Sequence, residues 1–178
     1  MHRLFVAIRP PQAIRDLLID AMDDSPALRW VGDDNLHLTL RFIGEVDRPL
    51  ADDVAATLAR IRFPGFALRI RGVGRFEQRS GGSLWAGVDP RKPVAELAGK
   101  VDRACVAAGL EPERRAFHPH VTLARFGRRN AEDARDFERR NAGLESEPWA
   151  VTRFILFESQ LSRHGAHYDE VAEFRLGR

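Results

Sequence analysis

Hydrophobic positions recur along this chain with two different periods, and the switches between them mark out the elements. Leu4-Phe5-Val6-Ala7-Ile8 is a short apolar run of β-formers and predicts a strand. Pro10-Pro11 stops it and suits the first turn of a helix, after which Ile14, Leu17, Leu18 and Ala21 follow at helical spacing. Arg29-Trp30-Val31 reads as a short edge strand, and Leu36 to Ile43 as a longer one ended by Gly44. Pro49 to Ile61 places Val54, Leu58 and Ile61 on one helical stripe. Phe66 to Arg71 and Ser83 to Val88 alternate as strands, and Pro93 to Ala108 is a helix with Val94, Leu97, Val101 and Cys105 aligned. His120 to Phe126 is a strand, Ala131 to Asn141 a polar surface helix, Trp149 to Leu161 a long strand, and His167 to Leu176 the last strand.

Two of these strands carry nearly the same text. One holds His37-Leu38-Thr39-Leu40 and the other His120-Val121-Thr122-Leu123. Successive side chains on a strand point to opposite faces, so each stretch shows a His and a Thr on one face and apolar residues on the other. Each sits in a similar strand–helix context. The expected fold is therefore α+β, a single domain over 1–178. Two lobes related by a pseudo-twofold would carry mainly antiparallel sheets flanking a central groove, with helices outside. The repeat then carries His37 and His120 to equivalent places on either side of that groove.

Composition changes this picture only at the margins. The 178 residues and 44% hydrophobic content are those of an ordinary globular domain, and the formal charge is only +2. Lys92 and Lys100 are the only lysines among 28 basic residues. Arginine offers phosphate a planar fork, although a genomic base-composition bias is the readier account of the excess. A lone cysteine, Cys105, excludes an internal disulfide and reads as a core residue. The chain has no apolar run of about 18 residues to span a membrane, and its N-terminal apolar stretch is too short for a signal peptide. The expectation is a soluble, cytoplasmic monomer.

The chemistry follows from the paired motif. Two imidazoles titrate near neutrality and can serve as a general acid and a general base. Two Thr hydroxyls can donate to anionic oxygens held between them. That set suits a phosphodiester. No carboxylate stands at ligand spacing from either His, so neither a metal site nor a cofactor is expected. Arg125 stands at i+5 from His120, where strict alternation puts it on the wrong face; it reaches the groove only if the strand bends or bulges. His118 reads as an exposed loop residue or an RNA contact, and His164 and His167 as solvated hairpin residues. Phe42, Trp85 and Tyr168 read as core residues or as platforms for a base. The Arg114-Arg115 and Arg128-Arg129 pairs are a solvated face or an RNA guide.

The paired His-x-Thr-apolar signature resembles that of the 2H phosphoesterases, and within them the LigT-like RNA 2′,3′-cyclic phosphodiesterases, also called 2′-5′ RNA ligases. The resemblance covers nearly the whole chain. Arg3 to Ile8 is similar to the family's opening strand, Trp30 and Asn35 to Glu45 to its first motif block, and Leu84 to Val88 to its middle strand. Phe117 to Arg125 resembles the second motif block, and Glu158 to Leu161 with Gly165 to Tyr168 the closing hairpin. This implies opening of an RNA 2′,3′-cyclic phosphate to a 2′-phosphate without metal, and by reversal 2′-5′ ligation. His37 would protonate the departing 3′ oxygen, His120 would activate water, and Thr39, Thr122 and Arg125 would hold the phosphate. Arg41 departs from the pattern at a place where an uncharged residue would also serve. Other classes remain open: an RNA-end binding module without turnover, or a phosphodiesterase acting on 2′-5′ oligonucleotides or ADP-ribose cyclic phosphate.

Overall fold

A computed structural model describes residues 1–23 and 25–177. The elements in order are β1 (His2–Ile8), α1 (Gln12–Ala21), β2 (Arg29–Trp30), β3 (Leu38–Val46), α2 (Arg48–Leu58), β4 (Phe66–Gln78) and β5 (Gly81–Asp89). Then follow α3 (Arg91–Ala107), β6 (His120–Gly127), α4 (Ala131–Arg140), β7 (Trp149–Val151), β8 (Arg153–Ser162) and β9 (Gly165–Arg175). Helix starts follow local chemistry. Asp47 caps α2 by accepting from the Leu50 amide at 3.0 Å, with Pro49 in the first turn. In α4, Glu132 and Asp133 stand in the first turn and Arg139 and Arg140 in the last, matching the helix dipole at both ends.

The strands run β7-β4-β5-β6-β3-β1-β8-β9, with β2 added beside β6. All neighbours are antiparallel. The order reads alike outward from its middle: β3-β1-β8-β9 on one side and β6-β5-β4-β7 on the other. The two sheets foreseen from the sequence meet at one residue pair, Leu38 opposite Val121. Beyond it β3 and β6 diverge, and β2 takes the vacated edge of β6.

The apolar residues of the strands' covered face and of the helices form one core beneath both halves. It includes Leu4, Val6, Leu38, Leu84 and Val121 from strands, and Val54, Leu97, Val101 and Phe137 from helices. β1 is buried on both faces, because Phe5 and Ala7 form a second small cluster with Ile155 and Phe157 on the open side. That explains why its alternation is weak in the sequence.

Two boundaries differ from the sequence reading. The long strand from Trp149 divides at Thr152: β7 pairs with β4 and β8 with β1. One residue thus links the first strand of the order to the next-to-last, so the sheet curls and its uncovered face becomes the inside of a groove. Gly44 does not end β3. Its φ of 86° lets an irregularity pass between the Leu4↔Gly44 and Phe5↔Phe42 pairs while the strand continues to Val46.

Candidate active site

The pair Leu38–Val121 is the pivot of the site. Both side chains point into the core, at 1% and 0% exposure. Continuing that antiparallel register by one residue each way sets His37 across from Thr122 and Thr39 across from His120. All four are half-buried and share the open face. The two imidazoles are then diagonal neighbours about the pivot, with a hydroxyl beside each.

Both histidines are tied down in the same way. His37 Nδ1 is 2.7 Å from the Asn35 carbonyl oxygen, and His120 Nδ1 is 2.5 Å from that of His118. A carbonyl can only accept, so Nδ1 carries the hydrogen in both neutral rings. Nε2 is left in each as the bare atom that can take up or, once charged, give back a proton. The tethers are themselves anchored. The Asn35 side-chain amide donates to the Ala166 carbonyl at 2.9 Å, and Pro119 holds His118 extended.

Each imidazole also has a wall of two aromatic rings from its own half. His37 lies 4.9 Å from Phe5 and 5.3 Å from Tyr168, centroid to centroid. His120 lies 5.0 Å from Phe76 and 5.9 Å from Trp85. Trp85 fits because Gly74 beneath it has no side chain: a Cβ there would come within 2.4 Å of the ring. Burial pushes the His37 imidazole down from 6.5 to about 4. The Asn35 carbonyl resists this, and the charges of His120, Arg9 and Arg125 add to it. His120 is lowered too, first by burial and also by His118 and Arg125, against the pull of the His118 carbonyl. Arg9 is itself fixed, donating to Glu170 at 2.7 Å and lying 5.2 Å from the centroid of the Phe157 ring.

Arg125 reaches the open face by a bulge. β5 and β6 pair as Leu84↔Ala124 and then Trp85↔Thr122, so β6 holds one extra residue there. Leu123 and Ala124 are both buried, and Arg125 emerges exposed on the side of His120. Its charge acts on both histidines. β3 has the same extra residue after its motif, between Val6↔Arg41 and Ala7↔Thr39. Residues 37–42 and 120–125 therefore share one burial sequence, and Phe42, 57% exposed, holds the place that Arg125 holds in the other half.

The remaining candidates sort plainly. His118 is exposed and contributes its carbonyl; His167 is exposed and 2.9 Å from Asp169; His164 is exposed at the hairpin turn. Cys105 is a core residue whose thiol burial raises to about 11. Arg41 is buried, with its guanidinium paired to Asp102 of α3 and donating to the Glu111 carbonyl, so its charge fastens the loop ahead of β6. Among the described residues no three His, Cys, Asp or Glu side chains cluster as a metal-binding set. Sequence reasoning missed Phe5 and Phe76 as walls, and Asn35 as an anchor. Asn35 does stand two residues before His37, as His118 does before His120.

Comparison with known proteins agrees with this geometry. The family model described as the 2′-5′ RNA ligase superfamily matches residues 9–163. A protein of Aeropyrum pernix named RNA 2′,3′-cyclic phosphodiesterase is 36% identical, with 83% of this chain and 86% of the relative covered. One of the same name from Escherichia coli is 33% identical over 98% and 97%. The crystal structure of E. coli LigT complexed with 3′-AMP superposes with a TM-score of 0.79 at 29% identity, covering 99% of both chains. Fold, motif order and relatives agree, and the chain belongs to the 2′-5′ RNA ligase superfamily.

Proposed function

We propose that this chain opens RNA-type 2′,3′-cyclic phosphates to 2′-phosphates, using His37 and His120 as a general acid–base pair. The observation that carries this is the matched pair of tethered imidazoles about the Leu38–Val121 pivot. In-line displacement at phosphorus needs the incoming and departing oxygens on opposite sides. A pseudo-twofold through the phosphate supplies one Nε2 to each side. Water attacks on the His120 side and loses its proton to His120. The bond to the 3′ oxygen breaks, and that oxygen takes a proton from His37. Thr39 and Thr122 donate to the non-bridging oxygens, and Arg125 compensates their charge. If an RNA 5′-hydroxyl replaces water and the same 3′ oxygen departs, the product is a 2′-5′ linkage. Ligation and hydrolysis are then one reaction with two nucleophiles. The names of the relatives support the cyclic phosphate as substrate.

One observation favours the reverse assignment. Burial holds the His37 imidazole down at about 4, which on its own disfavours the charged form that a general acid starts from. His37 acts as the acid because the bound anion raises both values and the departing oxygen lies on its side.

The test is turnover of a nucleoside 2′,3′-cyclic phosphate in EDTA. His37→Ala and His120→Ala are each expected to lose roughly 10²–10⁴-fold. Full activity in either variant, or tight binding without turnover by the wild type, overturns the proposal.

A further inference from the structure

In the short ladder between β2 and β6, Arg29 stands directly across from Arg125. Directly opposed residues share a face, so both guanidinium groups stand on the open side. Their neighbours Trp30 and Ala124 point the other way, and Trp30 packs 5.1 Å from Phe137 of α4. Both arginines are exposed, and neither makes a side-chain hydrogen bond or ion pair with a described residue. Eleven of the other described arginines do meet a carboxylate, Arg15, Arg69, Arg75, Arg135, Arg140 and Arg153 among them. Like charges directly opposite on a sheet repel, so the pair costs stability unless an anion lies between them.

The same row continues across the sheet to Ser83, which adds a hydroxyl opposite Arg125 on its other side. From His120 to Arg125 the strand advances about 13 Å. The two opposed arginines therefore stand further along the open face that carries the two histidines.

We propose that Arg29, with Arg125, seats the phosphodiester one nucleotide upstream of the reacting end, so that the groove selects a strand of RNA over a mononucleotide. This rests on the function proposed above and adds the substrate's length. Arg125 is shared: its fork has donors for the reacting phosphate on one side and the upstream phosphate on the other. Arg29 serves the upstream phosphate alone. A mononucleoside cyclic phosphate has nothing for Arg29 to hold.

The experiment compares a 2′,3′-cyclic mononucleotide with a trinucleotide ending in the same cyclic phosphate, in wild type, Arg29→Ala and Arg29→Lys. The wild type is expected to prefer the trinucleotide in kcat/KM by about tenfold. Arg29→Ala should erase that preference while turning over the mononucleotide normally, and Arg29→Lys should keep part of it. The salt dependence of trinucleotide binding should flatten in Arg29→Ala by about 0.7 in log–log slope, the value for one phosphate on a single strand. Thermal unfolding of Arg29→Ala should not occur at lower temperature, since a repulsion is removed. No trinucleotide preference in the wild type, or equal losses on both substrates in Arg29→Ala, overturns the upstream seat and leaves the cyclic-phosphate reading intact. Absence of turnover on either substrate would instead count against that reading. Binding of the trinucleotide 2′-phosphate product then still reads Arg29: a loss of affinity in Arg29→Ala supports the seat, and no change overturns it.

Discussion

The half of the molecule built around His37 and the half built around His120 use one device in two surroundings. Each has a His–apolar–Thr–Leu strand, a carbonyl two residues back that fixes the tautomer, a pair of aromatic rings and a bulge that turns the sixth residue outward. The surroundings differ. His37 sits against Phe5, which belongs to a closed apolar cluster, and its imidazole is held near 4; His120 is lowered less. At the outward-turned position one half has Phe42 and the other Arg125. The shared device gives each half one tethered imidazole on the open face. On the proposed function, the unshared residues would give the two imidazoles different work and tell one end of the substrate from the other.

Removing the device has the largest effect. The double variant of His37 and His120 should be scarcely worse than the poorer single variant, because the two act in one step; single-turnover rates on a cyclic mononucleotide would show this. Next comes the unshared position. Arg125→Ala should lower kcat/KM about 10²-fold through loss of charge at the phosphate. Phe42→Ala should leave kcat alone and raise KM by about tenfold or less, consistent with a stacking platform. Equal effects at the two positions would mean that the halves are not differentiated there. Thr39→Val and Thr122→Val should each cost about 10- to 100-fold, the worth of a hydrogen bond to a charged group.

How far the sequence foretold this depends on the kind of information involved. The two motif strands were legible because alternation is local: His37 and Thr39 share a face whatever lies beside them. The side on which Arg125 emerges was not legible, since a bulge exists only in the register with a neighbouring strand. The aromatic walls come from Phe5 and Tyr168, and from Phe76 and Trp85, residues joined only by folding. The carbonyl tethers were hidden for another reason, because every residue has a carbonyl and only geometry selects the one used. The break at Thr152 was masked because apolar residues continue on both sides of it. Arg41 looked replaceable in the sequence and is buried against Asp102 in the fold.

The smallest effects are on stability and separate the two histidines by pH. His37 titrates near 4 when folded and near 6.5 when unfolded, so the unfolded chain binds more protons between these values. Its contribution is fully present above about 6.5 and is lost as pH falls through 4, on the order of 3 kcal/mol in all. Urea unfolding at pH 7, 5.5 and 4.5 should show that fall. His37→Gln should flatten it more than His120→Gln does.

The division of labour between the two halves is tested most directly by a cyclic phosphate whose 3′ bridging oxygen is replaced by sulfur. A thiolate departs without needing a proton, so only the general acid becomes dispensable. His37→Ala should recover most of its lost rate on this substrate, and His120→Ala should recover none. Recovery by His120→Ala alone would reverse the assignment, and recovery by neither would contradict the account of two histidines working on one phosphate from opposite sides.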